Sequence, residues 1–304
     1  PARPIRWEVG AGYGTDTGVR ASLGVEYRRQ NRRGHYANID LEASQREITL
    51  SSRYAIPWPY PRTEELSVLF GVGRFEPGWA VSNRSTGGAS LSRVHWGWRE
   101  ILSLTYEFDD WTIADTDDET GLLLVTASLT RTVTDNLLDP GRGHMLRFEV
   151  RGAHDALLST ATMLRGTAEG RFLRTLAGPL RGFVRGQLGG LLTPEFNRLP
   201  PSQRFVTGGV QTVRGYTFES LGPRDANDQL VGGDILAYGS AELEYRFLDE
   251  YEAVIIHGDC WYENISPWNP KIWKLEASFA EKRASYPLGT LATDLEQRLR
   301  YTQE

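Results

Sequence analysis

The hydropathy of this chain alternates with a period of two, and this constrains the fold more than any other feature. In the segment 19–28, VRASLGVEYR, apolar Val19 and Leu23 fall on one face of an extended chain, whereas Arg20 and Glu26 fall on the other. Such alternation predicts a β-strand with two unlike faces. Turn signals separate further runs of this kind, which lie at 5–13, 37–44, 48–56, 66–72, 102–108, 123–130, 146–151 and 237–247.

The segments between the alternating runs indicate turns and loops. The acidic segment 114–121 is one of them, and we predict that it forms a loop between two strands. No convincing helical periodicity appears before residue 248. The sequence therefore predicts an all-β, antiparallel fold.

Two all-β architectures fit this pattern, a soluble sandwich and a membrane barrel. A sandwich also alternates, but here the polar faces carry charged residues at nearly every step over more than a dozen strands, which suits a water-filled lumen. The 9 Trp, 13 Tyr, 11 Phe and 32 Gly favour a barrel with aromatic girdles and bent strands. A sheet in hydrocarbon must close on itself, so we predict a transmembrane antiparallel β-barrel of about 16 strands, at about 19 residues per strand and connection.

Composition excludes several other classes of function. The net charge of −5 offers no basic surface for nucleic acid. The sequence contains no run of about 18 apolar residues, so it predicts no membrane-spanning helix. Cys260 is the single cysteine, so no disulfide forms within the chain, and the five histidines lack metal-ligand spacing. We expect no metal, no cofactor and no catalytic residues.

A competing motif lies near the end of the chain. His257, Gly258, Asp259 and Asn264 resemble the catalytic loop of aminoglycoside-phosphotransferase-like kinases. Such an enzyme needs an ATP-binding lysine far upstream and a second metal-binding aspartate soon after the asparagine. All three lysines lie downstream of the motif, so a soluble enzyme is the weaker hypothesis and we expect that the chain is not an enzyme.

One long segment does not alternate. It is RFVTGGVQTVRGYTFESLGPRDAND, residues 204–228, which follows Pro200 and Pro201 and combines a glycine pair, an Arg-Gly-Tyr, a Gly-Pro and a charged end. It resembles the sixth outer loop of the outer-membrane protein assembly superfamily, and more closely that of TamA-like barrels (translocation and assembly module proteins, relatives of BamA). The matching motif residues are Val213, Arg214, Gly215, Tyr216, Gly208 and Gly209.

The resemblance implies that this sixth outer loop inserts into the barrel lumen and that Arg214 lies against an acidic residue of the wall. A guanidinium in a partly dehydrated lumen needs such a partner. Glu242 and Glu244 are candidates because they project from the polar face of the next strand. Asp259 is a third candidate, since the Asp-x-Gly expected from the superfamily near this position is broken in IIHGDCW.

The resemblance also bears on domain organisation. We predict one outer-membrane β-barrel domain over residues 1–304, in which 1–247 follow the pattern and 248–304 form atypical closing strands. Charges at 281–283 and Pro287 would weaken the closing pair. The periplasmic modules of the family, its POTRA domains, are expected to be absent, because the first hairpin begins by residue 5.

By resemblance, the chain is expected in the bacterial outer membrane as an assembly and insertion factor that acts through a lateral strand seam. Its partners would be outer-membrane lipid, unfolded outer-membrane protein clients such as autotransporters, and an inner-membrane-anchored, periplasm-spanning TamB-like protein. The alternative is a passive pore or two-partner secretion translocator of the same superfamily, which would export a client through the lumen.

Overall fold

The computed structural model describes residues 4–14, 18–28, 31–137, 139–209, 211–248, 251–263 and 275–278, with side chains through Tyr245. Its strands form one antiparallel sheet in which each strand pairs with its neighbours in the chain. They are β1 Ile5–Gly14, β2 Gly18–Tyr27, β3 Tyr36–Ser44, β4 Glu47–Pro57, β5 Glu64–Phe75, β6 Ala80–His95, β7 Trp98–Ile113, β8 Thr116–Thr134, β9 Arg142–Ala153, β10 Met163–Ala177, β11 Leu180–Leu192, β12 Ile235–Leu248, β13 Tyr251–Glu263 and β14 Leu275–Ser278.

The all-β, antiparallel prediction is confirmed, and every alternating run falls on a strand. The predicted acidic loop at 114–121 is wrong in extent: the turn is confined to residues 114–115, and β8 begins at Thr116. Asp118 pairs in register with Trp111 and Thr120 with Asp109, so the acidic residues extend the ladder. They fit a strand because its end there lies among polar groups and solvent.

Strands β6, β10 and β11 were not among the predicted runs. Gly, Ser, Thr and Arg make up about half of their residues, so the apolar face is weakly marked, yet long ladders pair these strands with their neighbours. The kinase-like motif also falls largely on a strand, since residues 257–263 belong to β13, which pairs with β12 and β14. Asn264, the 281–283 cluster and Pro287 lie outside the described residues, as does much of the predicted closing region on which the count of about 16 strands depends.

The two faces of the sheet differ as the alternation requires. On the outer face, large apolar side chains stand free, for example Val9 at 81% exposure and Leu188 at 62%. On the inner face, charged residues are enclosed, and Asp109 is fully buried beside Arg84. An apolar outside and a polar inside are the arrangement of a transmembrane barrel.

The strand connections define two rims. The loop rim carries the connections that follow β1, β3, β5, β7, β9 and β11, and the turn rim carries those that follow β2, β4, β6, β8, β10 and β12. Residues 193–234, between β11 and β12, form the sixth connection of the loop rim and are called the long loop below. Among the described residues, helical structure is limited to the 3-10 helices Phe196–Arg198 and Pro201–Gln203, and no helix is long and apolar enough to cross a membrane.

Candidate functional site: the long loop on the inner wall

The long loop doubles back on itself through three isolated bridges. Phe205 pairs with Gly233 through N–H to O=C bonds of 2.9 and 2.8 Å, and Thr207 pairs with Leu221 through bonds of 2.8 and 2.9 Å. The third bridge joins Arg224 and Leu230. The loop is therefore an ordered ribbon with its own hydrogen bonds, as a segment removed from bulk water requires.

Arg204 holds the two arms of this ribbon together. Its guanidinium donates to the carbonyls of Leu199 (2.9 Å), Val231 (3.0 Å) and Asn197 (3.1 Å), which come from both arms. The cation also lies over the rings of Phe196, at 4.8 Å, and Trp111, at 5.3 Å. Burial lowers the pKa of Arg204 to about 10, which leaves it charged at neutral pH.

An apolar contact places the base of the loop on the inner wall. Leu199 and Phe205 are buried against Leu122 and Leu124 of β8 and neighbouring residues of β9 to β12. The Phe205 ring lies on the wall at Gly189, where an added Cβ would approach the ring to 2.6 Å. Glycine at this position therefore makes room for the aromatic side chain.

Polar contacts fix the same region to β7 and β8. Ser202 donates to the Glu107 carboxylate at 2.8 Å, and Gln203 donates to it at 3.1 Å. The Thr120 hydroxyl donates to the carbonyl of Arg198 at 2.8 Å. Because Glu107 is buried, these donors replace the water that its charge would otherwise need.

The Arg-Gly-Tyr motif lies further along the ribbon. Val213 is buried, Gly215 has a φ of +88°, and Tyr216 is half-buried. The guanidinium of Arg214 lies 2.6 Å from a carboxylate oxygen of Glu242, on the inner face of β12. The side chain of Glu242 is 6% exposed and that of Arg214 is 27% exposed, so the pair is largely shielded from water.

The three acidic candidates occupy different places. Glu242 meets Arg214, whereas Glu244 pairs with Arg181 of β11 at 2.8 Å. Asp259 lies in β13 opposite Ser240, and its side chain is outside the described part. Glu242 and Glu244 share one face of β12, two residues apart, so the alternation of the strand does not distinguish them.

Two glycines precede the motif in backbone conformations that other residues rarely adopt. Gly208 has a φ of +113° and Gly209 a φ of +99°. A Cβ at Gly208 would lie 2.5 Å from the carbonyl oxygen of Thr217. These residues turn the ribbon so that Val213 and Arg214 face the wall.

The chain is similar to known proteins in both sequence and fold. Residues 30–263 match the Omp85 superfamily domain. The chain belongs to the Omp85 superfamily. Its fold and membership place it in the bacterial outer membrane, where barrels of this superfamily reside.

Several relatives are similar to this Omp85 chain. The outer membrane protein assembly factor BamA of Nitratidesulfovibrio vulgaris is 26% identical over 162 residues, which cover 51% of this chain and 20% of that protein. BamA from Haemophilus ducreyi lacking POTRA domains 1-3 has a TM-score of 0.73 at 13% identity, over 86% of this chain and 57% of that one. CdiB from Escherichia coli has a TM-score of 0.60 at 13% identity, over 89% and 54%. The chain thus spans about a fifth of the curated relative and about half of each solved one.

Several site residues escaped prediction from the sequence. Arg204 was visible only as part of a Pro-Pro-x-x-Arg-Phe run, and its partners are backbone carbonyls, which leave no sequence signal. Glu107 lies on a predicted strand, but nothing in its neighbourhood marks it as a partner of the loop. The contact between Trp79 and Glu219 was also not predicted. The Trp79 indole, in the β5–β6 connection, donates to the Glu219 carboxylate of the long loop at 3.0 Å.

We expect Arg214→Ala to destabilise the folded barrel by about 2 kcal/mol, because it leaves the Glu242 charge buried without this cation. Arg224→Ala is the matched control in the same loop: the Arg224 side chain is 46% exposed and lies 3.8 Å from Asp228, so its loss should cost less than about 1 kcal/mol. Both losses of stability are measured as the temperature at which half of the compact band, which the folded barrel gives on a detergent gel without boiling, is lost. Equal midpoints would remove the proposed role of the Arg214 pair.

Glu219 should make the stability of the loop depend on pH. Burial raises its pKa, against the opposing effects of the Trp79 hydrogen bond, Arg46 and Arg84; the neighbouring acid is Glu47. Because the folded state binds the proton more tightly, this contribution to stability is present at acidic pH and is lost as pH rises through the raised pKa. Proteolysis of the loop should therefore be slower at pH 4, below the ordinary glutamate pKa of 4.5, than at pH 7, and Glu219→Gln should reduce that difference; an unchanged difference would contradict the assignment.

Proposed function

We propose that this chain assists the assembly of outer-membrane proteins by pairing client strands with the open edge of β1. The proposal rests on the hydrogen-bonded pairing of β1. Within the described residues, β1 pairs with β2 alone, over ten residues from Ile5 to Gly14. An unpaired edge in a membrane has strong backbone donors and acceptors without partners, so an arriving extended strand binds there by β-augmentation.

The register identifies the backbone groups available to a client. The amide of Arg28 donates to the carbonyl of Pro4 at 2.8 Å. Hydrogen-bonded pairs alternate along an antiparallel ladder, so Arg6, Glu8, Gly10 and Gly12 also direct their backbone groups toward β2. The backbone groups of the residues between them face the open edge: Ile5, Trp7, Val9, Ala11 and Tyr13.

The position of the long loop supports the same function. Its contacts fall on β7, β8 and β10 to β12 and on the β5–β6 connection, on the wall away from β1. A wall that is held in shape by this loop leaves the first strand free to exchange partners. The similarity to BamA, an outer membrane protein assembly factor, also supports an assembly role.

The finer role follows from the motif residues. We infer a TamA-like factor whose clients include autotransporters, and which acts with lipid and with a TamB-like periplasm-spanning partner. The loop motif, from the Pro-Pro run to Ser-Leu-Gly-Pro at 220–223, supports this subtype. Strand addition needs no covalent chemistry, and we propose that the chain is not an enzyme.

The test removes one edge donor without disturbing the β1–β2 ladder. Val9→Pro deletes an amide that faces the open edge, a position where edge strands accept proline, whereas Val9→Thr keeps the amide and the β-branched shape. The assay is the rate at which an unfolded outer-membrane barrel inserts into vesicles that contain the folded protein. Both variants should give the compact unboiled band, and only Val9→Pro should lower the assisted rate toward that of empty vesicles. Equal rates for the two variants would refute strand addition at this edge.

A pore or two-partner secretion translocator is the second candidate function. What favours it is the inner wall, where Arg147, Glu149 and Arg151 form a paired ladder that would suit a hydrated passage once the loop moves. The CdiB structure from Escherichia coli shares the fold. Single-channel conductance separates the two functions: a steady, large open channel supports the translocator, and a small, flickering one supports the assembly factor.

A further inference from the structure

The turn rim differs in chemistry from the loop rim. Exposed aromatic side chains lie on its connections, with Trp96 at 85% exposure and Tyr60 at 69%. Arg32, Arg33 and Arg62 are exposed on the same rim. The opposite rim is acidic at the β7–β8 hairpin, where Asp115 lies in the turn and Asp117, Asp118 and Glu119 lie at the start of β8. The exposed Asp135 and Asp139 also lie on the turn rim, in the connection after β8, so its exposed cations are concentrated at the β2–β3 and β4–β5 turns.

An arginine on the lipid-facing side of this rim has an unusual setting. Arg131 lies on the outer face of β8, three residues before the strand ends at Thr134. Its guanidinium carbon lies 5.8 Å from the centroid of the Trp98 ring, at the start of β7. The Phe148 ring lies 6.2 Å from Trp98. The Arg131 Nε is enclosed and has no hydrogen-bond partner among the described residues.

A cation at this depth is stabilised by a counter-charge, which the phosphates of the lipid headgroups can supply. An outward-facing arginine near a strand end extends toward the headgroups, and the ring beneath it fixes its plane. A planar guanidinium binds a phosphate group through two parallel hydrogen bonds. Phe148 and the outward-facing Leu129 provide an apolar surface for an acyl chain directly beside the cation.

We propose that Arg131, Trp98 and Phe148 form a binding site for the headgroup and upper acyl chain of an anionic phospholipid. The lipid phosphate takes the Arg131 guanidinium, and the exposed arginines of the neighbouring turns attract the negative charge of the same leaflet. The site rests on the membrane-spanning fold and is independent of strand addition at β1. Glu100, on the outer face of β7 two residues from Trp98, is a competing negative charge beside the site.

The test compares two outward-facing arginines at equivalent depth. Arg174 lies on the outer face of β10, three residues before the strand ends at Ala177, and is exposed. Among the described side chains, no ring lies beneath its guanidinium, unlike Arg131. Arg131→Gln and Arg174→Gln therefore make the same change of charge at the same level of the membrane.

The full chain and its variants are reconstituted in vesicles of phosphatidylcholine and phosphatidylglycerol with identical acyl chains. Native mass spectrometry of the extracted barrel gives the ratio of the two retained lipids. The wild type should retain phosphatidylglycerol above its proportion in the vesicles, and Arg131→Gln should lower this preference about fivefold, with little change in Arg174→Gln. Trp98→Leu should also lower the preference for phosphatidylglycerol, whereas Trp98→Phe, which keeps an aromatic ring, should retain it.

Two outcomes would overturn the site. One is retention of the two lipids by the wild type in the proportion of the vesicles. The other is an equal loss of preference in Arg131→Gln and Arg174→Gln, which would show only a diffuse effect of charge. The compact unboiled band checks folding in each case, and if Arg131→Gln does not give it, Trp98→Leu provides the same comparison with the charge retained.

Discussion

Replacing Arg204 by methionine is expected to loosen the long loop more than any other arginine substitution within it. Methionine keeps an unbranched apolar stem but lacks the guanidinium, so the donors to Leu199 and Val231, which join the two arms, are lost. Buried carbonyls without donors cost about 1–3 kcal/mol each, and loss of the cation over Trp111 and Phe196 adds to this. We expect a total of about 3 kcal/mol.

Limited proteolysis of the reconstituted barrel measures this effect, with cleavage between residues 193 and 234 as the signal. Arg224→Met is the control, because the exposed Arg224 donates to the Asp228 carbonyl within a single turn. Rapid cleavage should occur in Arg204→Met and not in Arg224→Met. A resistant loop in Arg204→Met would mean that the apolar contacts of Phe205 hold it without the cation.

Gly208→Ala should have the second large effect. The new Cβ would lie 2.5 Å from the Thr217 carbonyl oxygen and 3.2 Å from the Ser220 amide nitrogen, and both are backbone atoms that cannot rotate away. The φ of +113° adds strain of its own. We expect destabilisation of about 3 kcal/mol, measured by the heat conversion of the compact band.

Gly190→Ala is the matched control for this prediction. A Cβ at Gly190 meets no atom within 4 Å, and the residue lies in the regular part of β11. Its substitution should change stability by less than about 0.5 kcal/mol. Similar losses in both variants would indicate that the turn at Gly208 does not set the path of the motif.

The strands were predictable where lipid and lumen impose opposite chemistry on successive residues. Val19 and Leu23 mark one face of β2 as clearly as Arg20 and Glu26 mark the other. The prediction failed where that contrast fades. The start of β8 is acidic because it extends beyond the apolar band, and β11 is rich in glycine, partly because Gly189 must accept the Phe205 ring.

The candidate site was only partly accessible from the sequence. Arg214 could be singled out because a motif surrounds it, and Glu242 because it follows the alternation of the next strand. The choice between Glu242 and Glu244 depends on Arg181, whose guanidinium donates to the Glu244 carboxylate. Arg181 lies 63 residues before Glu244 in the chain, so the sequence does not reveal this pair. Arg204 could not be assigned a role, since a side chain that binds carbonyls can do so beside almost any sequence.

Photocrosslinking at β1 during client assembly is the most direct test of strand addition. A photoreactive residue replaces Val9, on the outer face of β1, or Val68, on the outer face of β5, which is paired on both sides. Both positions meet lipid, so lipid contact alone gives equal yields. Strand addition predicts adducts with an arriving outer-membrane client at position 9 several-fold above those at position 68. Equal yields, or adducts at position 68 alone, would contradict it.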